Sequence, residues 1–264
     1  MNVAALIPAR FASSRYPGKP LVEIRGAGGT AKPLIQRSFE AAQRVQGLSS
    51  IHVVTDDERI ASACQAFGAP VIMTPETCRN GTERCAEALP DLGSPDIVVN
   101  IQGDALLTPA HFVEALIERM GREDADVATP AMRLRPEQLR ALQAEAAAGR
   151  IGGTSVVANE DGQALYFSKR LIPYFPESAL GQDPSPVRLH IGVYAYTPSA
   201  LAAYAQSAPS ELEELEGLEQ LRFLETRIPI TIVEVEPPDF ELRELNNPED
   251  LGPIEAALER AGLE

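Results

Sequence analysis

Short apolar runs alternate with segments of helical spacing along the first half of this chain, and that alternation leaves few folds open. Val3–Ile7, Ile51–Thr55, Val71–Met73 and Asp96–Gln102 read as buried strands. Pro33–Val45, Glu58–Phe67, Thr82–Leu89 and Pro109–Met120 follow them with apolar residues at helical intervals, and Asp56-Asp57 stands where it can cap the second of these helices. Val127–Leu134 and Pro136–Ala148 add one more such unit. The character then changes. Thr154–Ala158 and Gln163–Phe167 flank Glu160-Asp161-Gly162, a hairpin signal. His190–Tyr196 predicts a strand, Ser199–Ala205 and Glu211–Glu225 helices, Thr231–Val235 a strand, and Pro248–Arg260 a closing helix. The expected fold class is α/β: a doubly wound, mostly parallel sheet carrying a smaller antiparallel inserted layer. The 264 residues are expected to form one domain, with 150–230 as that layer.

The loop after the first strand carries the strongest chemical signal. Arg10 to Lys19 reads Arg-Phe-Ala-Ser-Ser-Arg-Tyr-Pro-Gly-Lys, which places three cations in a protein of formal net charge -15. Open α/β sheets bind ligands beyond the carboxyl ends of their strands. Ser13, Ser14 and Gly18 leave backbone N–H groups for an anion-binding concavity, with Arg10, Arg15 and Lys19 around it. A polyphosphate fits such a loop; the plainer alternative is a solvated basic turn. Gly26–Gly29 and Gly149–Gly153 read as flexible stretches, the first as a mobile loop near the anion site or else a neutral insertion.

Composition narrows the partners. No apolar run reaches the length of a membrane span, and no basic segment followed by a long apolar stretch opens the chain, so neither membrane insertion nor secretion is expected. Cys64, Cys78 and Cys85 are odd in number and lack Cys-x-x-Cys spacing, which argues against disulfides and zinc and for a reducing cytoplasm. The acidic balance argues against nucleic acid, whose phosphate backbone needs a broad basic face.

Two further clusters stand out. Val98-Val99-Asn100-Ile101-Gln102-Gly103-Asp104 ends a buried strand in a carboxylate at the sheet's carboxyl edge. Mg²⁺ on a nucleotide takes one or two carboxylates plus phosphate oxygens, so Asp104 is the expected metal ligand; the alternative, a cap for the helix after Pro109, places it too far upstream. Asn80-Gly81-Thr82-Glu83-Arg84 reads first as a helix start, with Asn80 as cap and Glu83 in the capping-box position.

Together these motifs resemble the 3-deoxy-D-manno-octulosonate cytidylyltransferases, the CMP-Kdo synthetases. The resemblance rests on Ile7-Pro8-Ala9-Arg10 with Ser14-Arg15-Tyr16-Pro17-Gly18-Lys19-Pro20-Leu21, on Gly81-Thr82-Glu83-Arg84, and on Asn100-Ile101-Gln102-Gly103-Asp104. It continues through Ala164-Leu165-Tyr166-Phe167-Ser168, His190-Ile191-Gly192-Val193-Tyr194, Leu218-Glu219-Gln220-Leu221-Arg222 and Pro248-Glu249-Asp250-Leu251, in one order over nearly the whole chain. It implies transfer of CMP from CTP to a 2-keto sugar acid in lipopolysaccharide biosynthesis. On matching positions, Arg10, Ser13, Ser14, Arg15 and Lys19 would hold the triphosphate, and Arg84 and Gln102 would position cytosine or sugar. Asp104 would bind Mg²⁺, and Gln102, His190, Tyr194, Glu219 and Gln220 would line the acceptor pocket. Lys19, Arg15 and Asp104 would carry catalysis by neutralising charge. The resemblance also implies a homodimer formed through the inserted layer.

The chain departs from that family's pattern near the acceptor and the metal. Ala105 stands where Glu is usual after Gly-Asp, and Asn246 where the second metal-binding Asp is usual, so Asn246 is the expected, weaker metal ligand or else a helix cap, a role Asn247 could also fill. Ser155 replaces a Lys, Cys78 a His and Asn80 a Ser, and Ala27–Ala31 lengthens a turn. Three readings follow: ordinary CMP-Kdo synthesis, transfer to another acid such as a modified ulosonic acid or a phosphonate, or a CTP-binding regulator that has lost catalysis. Taken singly, His190 in an alternating strand reads as a structural histidine, Tyr166 and Phe167 as core, and most of the acidic run Glu211, Glu213, Glu214 and Glu216 as a solvated helix face.

Overall fold

The computed structural model describes all residues except Ser14, Ala105 and Glu241. The chain divides into two compact units, residues 1–117 with 238–264, and residues 118–237. Within the first unit lie β1 (Val3–Ala9), the hairpin β2 (Glu23–Arg25) and β3 (Ala31–Pro33), α1 (Leu34–Ala42), β4 (Ser50–Thr55), α2 (Glu58–Ala66), β5 (Val71–Met73), α3 (Gly81–Glu87) and β6 (Ile97–Ile101). The boundary between the units falls within α4 (Ala110–Met120).

The sheet of the first unit runs β5-β4-β1-β6, all parallel, with Ala5 beside both Ile51 and Val99. Chain order therefore proceeds outward from β1 to β5 and then jumps back across β1 to β6. Right-handed crossovers put α1 and α2 on one face and α3 on the other. The reversal at β1 leaves a crevice beyond the carboxyl ends of β1 and β6, the place where doubly wound sheets take ligands. The two strands flanking it are apolar except for the buried Asn100, because both of their faces are covered; Ile97–Ile101 is buried along its whole length. Local signals agree with the fold. Asp57 caps α2 by accepting from Arg59 N at 2.9 Å, and Asn80 caps α3 by accepting from Glu83 N at 2.8 Å.

Gly26–Gly29 lies in the turn of the β2–β3 hairpin. The buried guanidinium of Arg37 donates to Ile24 O at 2.8 Å and Thr30 O at 2.6 Å, and the Glu264 carboxylate accepts from Gly28 N at 2.6 Å. Behind the site loops, Ile24, Leu34, Leu106, Leu107 and Leu245 pack with Ile254, Ala257 and Leu258 of the last helix, and Tyr16 and Val22 lean on the same cluster.

The second unit contains β7 (Val127–Arg133), α5 (Pro136–Ala147), β8 (Ser155–Ala158), β9 (Ala164–Ser168), β10 (Arg188–His190), β11 (Val193–Tyr196), α6 (Pro198–Gln206), α7 (Glu211–Glu216), α8 (Leu221–Glu225) and β12 (Ile230–Glu234). The expected hairpin is present as the antiparallel pair β8–β9. β7 pairs antiparallel with β10 and β11 and parallel with β12. Two expected elements are each broken in two. The strand over His190–Tyr196 divides into β10 and β11 at Ile191-Gly192. The helix over Glu211–Glu225 divides at Gly217, whose φ of 60° ends α7 in the left-handed region. Glu219 and Gln220 therefore sit in the link before α8 rather than on a continuous helix. The final helix of the first unit, α9 (Leu251–Ala261), is preceded by a short 3₁₀ turn, Pro248–Asp250.

Candidate functional site

The loop after β1 closes on one carbonyl. Phe11 O accepts from Ser13 N and from Gly18 N, each at 2.9 Å. Gly18 has φ 73°, and a Cβ there would lie 3.1 Å from the Phe11 ring, so the turn requires glycine. The Arg59 guanidinium lies over the same ring, 3.2 Å from its centroid, while bound bidentately to Asp57. The effect is to start a 3₁₀ turn at Lys19 and aim its amine inward. Arg10 and Arg15 are exposed, and Ser13 Oγ accepts from Tyr16 N at 3.4 Å. The expected role of Ser14 lies outside the described residues.

Asp104 reaches the same place from the end of β6. Gly103 makes this possible: a Cβ there would lie 2.6 Å from Pro8 O on β1, a contact no side chain permits. The buried Ser38 hydroxyl donates to Gly103 O at 2.9 Å and fixes the turn. Lys19 Nζ pairs with Asp104 Oδ2. The third segment of the site comes from late in the chain: Leu245 N donates to Asp104 O at 3.4 Å, and Asn246 Oδ1 accepts from Arg15 Nη2 at 2.7 Å. The fold thus joins Arg15, Lys19, Asp104 and Asn246. The helix cap falls to Asn247, which with Asp250 forms a reciprocal capping pair.

Glu244 is the residue that sequence reasoning missed. Its Oε2 accepts from Asn246 Nδ2 at 3.3 Å. Part of the side chain meets solvent, yet protein crowds the carboxyl; burial first, and the Asp104 charge second, push it above the usual carboxylate range, while Asn246, Lys19 and Arg15 oppose this. Two carboxylates held together are relieved by a cation. With the Asn246 amide oxygen they form a hard oxygen set, which suits Mg²⁺ completed by phosphate oxygens. Among the described residues no group of three or more His, Cys, Asp or Glu side chains could hold a metal alone. Only the position of Glu244, two residues before Asn246, pointed to it in the sequence.

Arg84 is buried, donating to Thr74 Oγ1 at 2.5 Å and to Asp56 Oδ2 at 2.9 Å, so it ties α3 to the carboxyl ends of β4 and β5. Gln102 is half-buried beside the start of α3; a Cβ on Gly81 would lie 3.6 Å from its Nε2 and 3.3 Å from Asn100 Nδ2. Cys64, Cys78 and Cys85 are buried and form no disulfide, and burial pushes the Cys64 thiol up to about 11, far from a thiolate nucleophile.

In the second unit, His190 and Tyr194 are neighbours, with ring centroids 5.4 Å apart, and Phe167 meets His190 edge-on at 5.1 Å. Phe167 is core as expected, whereas Tyr166 is half-buried with its hydroxyl donating to Glu216 Oε1 at 3.4 Å. Of the acidic run, Glu213 is not on a solvated face: it is buried and paired twice with Arg222 at 2.6 Å. Ser155 Oγ donates to Arg170 O and accepts from Ile172 N at 3.1 Å. Gln220 is 2% exposed, and its Nε2 has no hydrogen-bond partner among the described residues. Tyr204 donates to the Glu219 carbonyl at 3.2 Å, fixing that link.

Burial lowers the His190 pKa from its ordinary 6.5 to about 3, so the ring is neutral at working pH. The unfolded chain takes up this proton first, so stability falls as pH drops from about 6.5 toward 3, by about 1.4 kcal/mol per pH unit for this group. Urea unfolding across that range is expected to show a shallower decline for His190→Gln than for the parent; equal slopes would refute it.

A cytidylyltransferase family model matches residues 4–230. A 3-deoxy-manno-octulosonate cytidylyltransferase from Arabidopsis thaliana, a mitochondrial protein, is 39% identical over 99% of this chain and 85% of its own length. An 8-amino-3,8-dideoxy-manno-octulosonate cytidylyltransferase from Shewanella pealeana is 40% identical over 98% of this chain and 99% of its own. The solved structure of a CMP:2-keto-3-deoxy-manno-octonic acid synthetase complexed with CTP superposes with a TM-score of 0.83 at 34% identity, covering 99% of this chain and all of that one. The crevice at β1 and β6, the cation loop that borders it and these likenesses along the whole chain place the protein in the cytidylyltransferase family, among the 3-deoxy-manno-octulosonate cytidylyltransferases.

Proposed function

We propose that this protein transfers CMP from CTP to the anomeric hydroxyl of a 3-deoxy-ulosonic acid. The anomeric oxygen bonds to the α-phosphorus, the bond to the bridging oxygen breaks, pyrophosphate leaves, and the hydroxyl proton passes to solvent. The observation that carries this reading is the meeting of Arg15, Lys19 and Asp104 at the carboxyl ends of β1 and β6. Arg10, Arg15 and Lys19 bind the triphosphate and offset the charge gathering on the leaving pyrophosphate. Asp104, Glu244 and the Asn246 amide oxygen are the residues that hold Mg²⁺, which when bound supplies Lewis-acid polarisation of the phosphoryl oxygens. Lys19 partners Asp104 in the free protein, so it is positioned to move onto phosphate when the nucleotide arrives. Gln102, His190, Tyr194, Glu219 and Gln220 bind and orient the sugar acid. The likeness to the Shewanella protein favours a second acceptor, an 8-amino sugar acid, alongside Kdo itself.

No helix among the described residues is long and apolar enough to cross a membrane. Three buried cysteines outside any disulfide support a reducing cytoplasm, and exposed Leu165, Tyr174 and Leu215 support pairing of two chains through the second unit. CTP is expected to raise the Tm more than equal concentrations of UTP, ATP or GTP, because only a ligand bound by the native state stabilises it. Pyrophosphate release from CTP with Mg²⁺ is expected with Kdo or its 8-amino counterpart. A CTP-specific Tm rise without release from either acid would leave a nucleotide-binding regulator in its place.

A further inference from the structure

β7 and its antiparallel partner fall out of step beside His190. His190 faces Ala131 and Ala195 faces Ala128, so the partner takes five steps while β7 takes three. This is a bulge, a device that redirects a side chain at the cost of ladder pairing. Thr129 lies on β7 within the bulge and is fully buried. Its Oγ1 is 2.8 Å from Val193 O, 3.2 Å from Ile191 O and 3.0 Å from His190 Nε2.

A hydroxyl has one proton to donate, and carbonyl oxygens can only accept. If that proton went to His190, Oγ1 would face two carbonyl oxygens at hydrogen-bond distance with nothing between them. The proton therefore goes to a carbonyl, Val193 O being the nearer, and Oγ1 accepts from His190 Nε2–H. The neutral imidazole then carries its lone pair on Nδ1. That ring is 9% exposed, and Nδ1 has no hydrogen-bond partner among the described residues.

We infer that Thr129 is a positioning residue that holds His190 in the Nε2–H tautomer, so that Nδ1 accepts a hydrogen bond from a hydroxyl or ammonium of the acceptor sugar. This rests on the sugar-acid reading above and adds a polarity to it. A neutral acceptor nitrogen repels a carboxylate, so His190 reads the hydroxylated part of the sugar, and the acid group is bound by other residues.

The test combines a spectrum with kinetics. The chain has three histidines, so long-range ¹H–¹⁵N correlation of ¹⁵N-labelled protein, with His190→Gln for assignment, resolves the ring. The expected parent signal is a protonated Nε2 and a bare Nδ1. Thr129→Val keeps the shape and removes the hydroxyl; it is expected to mix the tautomers and raise KM for the sugar acid about tenfold, the worth of one neutral hydrogen bond, with KM for CTP unchanged. Thr129→Ser is expected to restore both. A protonated Nδ1 in the parent overturns the inference even if Kdo is turned over, as does an unchanged sugar-acid KM in a folded Thr129→Val. A ring of the expected tautomer in a protein that turns over no sugar acid upholds the assignment of Thr129 and removes the transfer reading instead.

Discussion

Asp104→Asn is expected to bind CTP, remain folded and release pyrophosphate about 10³-fold more slowly, the equivalent of roughly 4 kcal/mol of transition-state stabilisation. The substitution keeps the size of the side chain and removes its charge. The fold tolerates this because asparagine keeps an amide oxygen that can still accept from Lys19 Nζ. Triphosphate binding tolerates it too, since Arg10, Arg15 and Lys19 are untouched and Lys19 is released from its partner. On the proposed function, what would be lost is half of the carboxylate charge available to a divalent cation, the other half being Glu244. Two measurements decide: calorimetric titration of Mg²⁺ or Mn²⁺ in the presence of CTP, and pyrophosphate release. Undiminished release would place the metal elsewhere in the molecule.

Glu213→Ala is expected to destabilise the protein by about 3–5 kcal/mol, the largest loss from any single exposed-looking acidic residue of its helix. Arg222 is 1% exposed and its guanidinium lies 4.1 Å over the Tyr204 ring, so without Glu213 a charge remains buried with its bidentate partner gone. Glu213 also closes the capping box with Ser210 at the start of α7. Glu211→Ala, one turn edge away and exposed, is expected to change stability by less than about 0.5 kcal/mol. Chemical denaturation of the two variants separates the outcomes; a similar small loss from both would mean the Arg222 charge is hydrated in solution.

The contrast between those neighbours marks the limit of periodicity. Glu211, Glu213, Glu214 and Glu216 look alike in sequence, and only the approach of Arg222 makes one of them a buried partner. The break at Gly217 was passed over by the expected continuous helix, although a glycine in a helical run is the usual C-terminal signal. The break at Ile191-Gly192 was not legible: it lies beside Thr129, a residue on another strand, whose hydroxyl stands 3.2 Å from Ile191 O and 2.8 Å from Val193 O. The candidate site divides in the same way. Arg15, Lys19 and Asp104 follow directly from strands that end in polar residues, whereas Glu244 enters only because the chain returns past Asp104 on its way to α9.

By itself the sequence determined the succession of strands and helices, their caps, and the two loops that must lie at the carboxyl edge of a parallel sheet. Those features depend on spacing along the chain and on the backbone needs of glycine, asparagine and aspartate, which act over a few residues. Only the tertiary structure decided which charges are partnered, which carboxylate joins Asp104, and which nitrogen of His190 carries its proton. Each of these depends on groups far apart in the chain being brought within a few ångströms, where burial weakens the screening by water and makes a single hydrogen bond or charge decisive.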